Sequence, residues 1–367
     1  MGTCVGGGML ALPIQTAQAG VGLSLLSFLL TAAIMLVTSW YVGELSFCKK
    51  GGINIVSLTQ KSLGKESALL VLFGYLFLFY AFTVAYLSAI RGLSELFLTQ
   101  GTALFLLFLL FGMSFLLYKG TSWVAAINQG LMIGLIGSYF FLICDLPSIR
   151  WDLLTRWESS ALSLVFPVTV NAFNFHLIVP SLTSALNYDR GKFRRAILLG
   201  VALTFCIYLL WELLVLGHLS PVTLEQNPMN AIAPLAQVVG RPTLVFISYI
   251  FSFFAIITSL LGVSLAFLDI FSDAMQSYFR KREKQHLLLI CLLLSSFFLV
   301  SSQPMLFRKA VTQWAGLGIS LLSGVLPILL VWRERKRLLQ RDSSPLFSPL
   351  FLLLLLAFFC SVIWLSV

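Results

Sequence analysis

The chain has 367 residues, 59% of them hydrophobic and only 10% charged, with a formal net charge of +10. A water-soluble domain needs a polar skin in which about a quarter of all residues are charged, so this composition excludes one and makes lipid the solvent. The basic excess sits in short clusters between apolar runs, which is a membrane-orientation pattern and excludes a continuous nucleic-acid-binding face.

A helix needs about 20 apolar residues to cross the hydrocarbon core. Eleven crossings are predicted, at 2–19, 22–47, 68–98, 102–118, 123–144, 160–186, 195–217, 243–270, 287–302, 309–332 and 346–366. The chain therefore reads as an all-α membrane protein, and no connection is long enough for a soluble domain. Taking the connection between the second and third crossings as cytoplasmic and alternating from there, eighteen Lys and Arg fall on that side against five on the other. By the positive-inside rule the N-terminus lies in the cytoplasm and the C-terminus in the periplasm. The first basic residue is Lys49, so the opening does not read as a signal peptide.

In the first crossing, Gly6, Gly7 and Gly8 weaken the helix by about 1 kcal/mol each relative to alanine. Pro13 then removes the donor that would bond the carbonyl of Met9. Backbone freed in this way is tolerated at membrane depth only if it is buried in protein or lines a wet cavity, and helix N-terminal amides favour an anion such as a carboxylate. The competing reading is close packing, with Gly2 and Gly6 forming a small-xxx-small face. Glu44 ends the second crossing. The third carries Tyr75, Tyr80, Tyr86, Arg91 and Glu95. Arg91 and Glu95 are four apart and pair on one face, while Tyr80 and Tyr86 lie deeper, as candidates for lining a solute path.

The sixth crossing holds Asn171, Ala172, Phe173, Asn174, Phe175 and His176 ahead of Pro180. Asparagine competes for backbone groups, which predicts a second break whose carbonyls would receive an ammonium. An ionisable His176 inside a membrane faces a cavity or an interhelical partner. Glu212 in the seventh crossing is open to two readings, a proton carrier or a carboxylate paired with a neighbouring helix. In the eighth, Thr258, Ser259 and Ser264 are small hydroxyls suited to ligating an ion or packing helices, and Asp269 and Asp273 close it beside a basic connection.

The two proline-containing breaks lie 167 residues apart, and Glu44 and Glu212 lie 168 apart. An odd number of crossings per repeat puts the halves in opposite orientation, the inverted-repeat plan. The predicted units are 1–144, 160–332 and an extra crossing at 346–366. By the same offset the first crossing is expected to be truncated at its N-terminus. The six cysteines and three histidines are scattered without C-x-x-C spacing, so neither a metal nor another cofactor is signalled. No clustered nucleophile constellation marks an enzyme.

Several stretches resemble a known family. The opening Met1-Gly2-Thr3-Cys4-Val5-Gly6-Gly7-Gly8-Met9-Leu10-Ala11-Leu12-Pro13 is similar to that of the hydroxy and aromatic amino acid permeases, within the amino acid-polyamine-organocation superfamily. Phe173-Asn174-Phe175-His176 with Val179-Pro180-Ser181 is similar too, as are Tyr80 to Tyr86, Trp211-Glu212-Leu213 and Thr258 to Ser264. The tyrosine/tryptophan-specific branch is the nearer match. The resemblance implies a leucine-transporter-type fold, five plus five helices in an inverted repeat with one extra. It also implies import of tyrosine or tryptophan with protons across a bacterial inner membrane by alternating access. The substrate carboxylate would sit at Thr3 and Gly6–Gly8 and the amine around Ala172, Phe173, Asn174 and Phe175, with His176, Tyr80 and Tyr86 nearby. Proton coupling would fall to Glu212 or His176. Asn174 departs from the family's glycine, and Leu135 stands where some members carry lysine. A permease for serine or threonine, or an inactive shortened permease, are the alternatives. Nucleic acid is not an expected partner, and the sequence does not specify an oligomer.

Overall fold

The computed structural model describes residues 4–366 except 49–53, 96, 99, 145–148, 228–230, 232–233, 236–237, 239–241, 280–284, 304–312 and 341–343. The first crossing is the short helix α1 (Gly7–Thr16), entered through a turn at residues 4–6. Helix α2 (Val21–Cys48) follows, and a surface helix α3 (Ile55–Leu63) starts where the Asn54 side chain accepts the Ser57 amide at 2.8 Å. Next come α4 (Lys65–Ser94), α5 (Thr102–Lys119) and α6 (Thr121–Cys144).

The sixth crossing is broken into α7 (Leu162–Ala172) and α8 (Val179–Ala185), and between them only a 3-10 turn at His176–Ile178 is helical. The chain continues through α9 (Arg190–Leu216), α10 (Pro242–Phe279), α11 (Gln285–Ser302), α12 (Ala315–Leu339) and α13 (Pro349–Ser366). Nine of the described helical segments are long and apolar enough to span a bilayer, and Leu287–Ser302 is a shorter apolar one.

Lipid-facing and protein-facing helices differ by burial, not by polarity. Leu104, Phe108 and Phe111 on α5 and Leu350 and Trp364 on α13 are at least 70% exposed, which only hydrocarbon tolerates over so large an area. The interior is formed by α1 and α7, which pack on each other and against α2, α9, α10, α12 and α13. Residues 4–6 at the open end of α1 are buried, so their backbone polar groups need partners within the protein.

Two carboxylates close opposite ends of α9. At its start, the buried Glu44 of α2 is bonded by Arg190 (2.8 Å) and Arg194 (3.2 Å), and accepts the Trp40 indole N–H at 3.1 Å. Arg194 also lies over the Trp40 ring, 4.2 Å from its centroid. A buried anion must be paired in this way or be strongly destabilising. Toward the far end, Glu212 is fully buried and accepts the Thr16 hydroxyl of α1, while its Oε2 has no hydrogen-bond partner among the described residues. Glu44 is thus held in an ion pair, whereas no salt bridge reaches Glu212 among the described residues.

Candidate functional site

The site is built where the start of α1, entered at residues 4–6, meets the break in the sixth crossing. Gly6 precedes α1 in an extended conformation and its carbonyl accepts the Met9 amide at 3.0 Å. The Gly7 amide donates to Ser259 Oγ of α10 at 2.8 Å, and that hydroxyl donates to the Ala255 carbonyl at 2.9 Å. Approach this close excludes side chains. A Cβ on Gly7 would lie 2.6 Å from Tyr86 Cε1, and one on Gly6 would fall on Ser259 Oγ and 3.2 Å from the Ala255 carbonyl oxygen. Gly6 and Gly7 pack closely against α10 and α4 and Gly8 borders a cavity, while Gly2 lies outside the described residues.

Side chains from α9 stitch the two interruptions together. The Tyr208 hydroxyl lies 2.6 Å from the Cys4 carbonyl oxygen and 2.9 Å from that of Ala172, so one residue holds both. Close to one turn further on, the Trp211 indole N–H donates to the Met9 carbonyl at 3.0 Å. This supplies the donor that Pro13 cannot. Trp211→Phe is expected to leave that buried carbonyl unpaired and to lower stability by about 1–3 kcal/mol, read as a fall in melting temperature of the purified protein.

The second break is held from the other side. Thr31 bonds Thr169 at 3.0 Å and Thr38 bonds His176 Nε2 at 2.8 Å, so α2 splints the sixth crossing above and below its break. Asn174 Oδ1 accepts the Ser323 hydroxyl at 2.9 Å from the π-helical turn Ser320–Val325 of α12. Such turns recur at functional sites because they re-aim a side chain within a helix.

These segments enclose a cavity of about 370 Å³, within the range of small-molecule sites. Of the expected residues, Gly8, Tyr86, Ala172, Asn174 and Phe175 line it, and Gly6 and Gly7 form the wall beside it. Phe173 turns away, fully buried against Phe28 and Tyr208, and borders a smaller space of about 50 Å³ with Cys4. His176 is fully buried against Thr38, away from the cavity lining, and its Nδ1 has no partner among the described residues. Glu212 likewise lies off the cavity. Thr3 lies outside the described residues.

Tyr80 does not join Tyr86. Six residues apart on a helix leaves them about 120° apart around its axis, and Tyr80 faces an outer groove between α4 and α11 with Leu288 and Ser295. Residues not singled out from sequence also line the cavity: Phe82, stacked on Tyr86 at 6.0 Å, and Asn128 of α6. The signal for Asn128 was present, since Asn128-Gln129 is an adjacent amide pair inside an otherwise apolar crossing.

A sequence profile of the tryptophan/tyrosine permease family matches residues 1–366. Tyrosine-specific transport system 2 of Haemophilus influenzae is 30% identical over 352 residues, covering 91% of this chain and 86% of that protein. The tryptophan-specific transport protein of the same organism is 26% identical, over 92% of this chain and 87% of its own length. Among solved structures, MhsT in complex with L-phenylalanine superposes with a TM-score of 0.68 at 14% identity, covering 100% of this chain and 96% of that one. That likeness makes the fold a leucine-transporter-type fold.

Proposed function

Because the chain belongs to the tryptophan/tyrosine permease family, and so is a multi-pass membrane transporter and not an enzyme, we propose that it imports tyrosine or tryptophan with protons by alternating access. The observation that carries this reading is the cavity itself. It lies between the start of α1 and the break in the sixth crossing, with main chain on one side at Gly8 and Ala172 and aromatic rings at Phe82, Tyr86 and Phe175. A zwitterion needs dipoles of both signs, which a helix N-terminus and freed carbonyls supply, and an aromatic side chain needs apolar surface. The relatives that transport tyrosine and tryptophan point to the same substrate class.

In this reading residues 1–144 and 160–332 act as inverted repeats around the cavity, with 346–366 as the added helix. The carboxylate of the amino acid lies toward Gly6–Gly8 and the amine toward Ala172–Asn174. The membrane is a bacterial inner membrane in this reading, and the eighteen-to-five distribution of Lys and Arg supports a cytoplasmic N-terminus. Glu212 takes the coupling proton.

Counterflow in proteoliposomes tests the substrate. Vesicles preloaded with unlabelled tyrosine or tryptophan are expected to accumulate the labelled amino acid, and serine and threonine are expected not to compete. Equal competition by serine, or no counterflow with either aromatic amino acid, overturns the reading.

A further inference from the structure

Asn128 projects into the cavity from α6, a helix that contributes neither interruption. We propose that its Oδ1 accepts the hydrogen-bond donor on the substrate ring, a phenol O–H or an indole N–H, and so separates tyrosine and tryptophan from phenylalanine. The proposal rests on the transport reading above and adds the group that sets ring specificity.

Asn128 Oδ1 is buried and has no hydrogen-bond partner among the described residues, although the residue lines the cavity. Buried acceptors are almost always paired, so an unpaired one on a cavity wall marks a place where an occupant completes the bond. The neighbouring polar side chains do not complete it. The Thr258 hydroxyl donates to the Phe254 carbonyl at 2.8 Å, and that of Ser259 to the Ala255 carbonyl at 2.9 Å. Two further asparagines, Asn171 and Asn174, line the cavity, and Asn174 Oδ1 is already engaged by Ser323.

Position agrees with chemistry. Gly134 of α6 packs against the Phe254 ring of α10, and the two helices run in opposite directions. Six residues, about 9 Å along α6, bring Asn128 level with Thr258–Gly262. Asn128 thus shares the cavity with Gly8 and Ala172 while standing on a helix apart from theirs. Val263 and Ala266 also line it and offer no competing donor. A site built to bond a substrate O–H or N–H rejects the analogue lacking it far better than an apolar pocket rejects an extra group.

The test compares counterflow of tyrosine, tryptophan, phenylalanine and O-methyltyrosine through the wild-type protein and Asn128→Leu. The wild type is expected to favour tyrosine or tryptophan over phenylalanine and O-methyltyrosine. In Asn128→Leu, kcat/KM for tyrosine and tryptophan is expected to fall about 10- to 100-fold, the range for an interaction that satisfies a buried polar group. The tyrosine-to-phenylalanine ratio should fall or invert, because the unpaired acceptor that penalises phenylalanine is gone, and a gel-filtration profile matching the wild type checks folding. An equal fall for all four substrates, unchanged tyrosine preference in the variant, or wild-type flux that does not distinguish tyrosine from O-methyltyrosine overturns the proposal while leaving the transport reading intact. Absence of wild-type flux for every aromatic substrate overturns both.

Discussion

Gly7→Leu is expected to insert into the membrane and to transport nothing. The first added carbon would lie 2.6 Å from Tyr86 Cε1, inside any permissible contact, and the rest of a leucine side chain has nowhere to go but toward Tyr86 and the cavity. Relief requires either the Tyr86 ring to swing away or α1 to retreat from α4. The second movement pulls on the bond from the Gly7 amide to Ser259 Oγ. Either one displaces a wall of the cavity by about 1 Å or more, and misplacements of that size cost on the order of 100-fold in turnover. The apolar spans that direct insertion are untouched. Yield and gel-filtration profile should therefore match the wild type while counterflow disappears. Wild-type flux through a well-folded Gly7→Leu would remove the substrate from this end of α1.

Glu212→Gln is expected to uncouple transport without stopping it. The carboxyl is fully buried, bonded on one oxygen by Thr16 and unpaired on the other among the described residues. An ionisable group kept so far from water is expensive and needs a functional reason. Its contact with Thr16 is on α1, the same helix whose opposite end borders the cavity, so the protonation state is felt by one of the two interrupted elements. The contrast with Glu44 is instructive. That carboxylate is held by two arginines, which fix it in an ion pair. Glutamine keeps the shape and the acceptor for Thr16 but cannot release a proton. For one-to-one coupling a gradient of one pH unit supports about tenfold accumulation. The wild type should show that gain under an acid-outside gradient and Glu212→Gln should not, whereas counterflow at equal pH should persist in both. Gradient-driven accumulation surviving in the variant would assign coupling elsewhere.

Much of this was legible before any coordinates. The spans follow from apolar length, the interruptions from Gly6–Gly8 with Pro13 and from Asn171 to His176 ahead of Pro180. Each is a local property: a residue that lacks a donor or weakens a helix does so whatever its neighbours. The need of the Met9 carbonyl for a foreign donor followed from Pro13 alone. Its provider did not, because Trp211 is 202 residues away in sequence.

Sequence by itself determined that the chain lives in lipid, where it crosses, where its main chain is left unpaired and which residues are costly enough to matter. Tertiary structure alone decided which way those residues face. His176 meets Thr38 and not the cavity, Phe173 packs on Tyr208, Tyr80 and Tyr86 part company on one helix, and the overlooked Asn128 points inward. The reason is physical. In water, a helix shows its buried stripe as a 3.6-residue hydrophobic period, but lipid is as apolar as a protein core. Helices apolar all round therefore carry little sequence record of their rotation, and only the packing of one against another sets it.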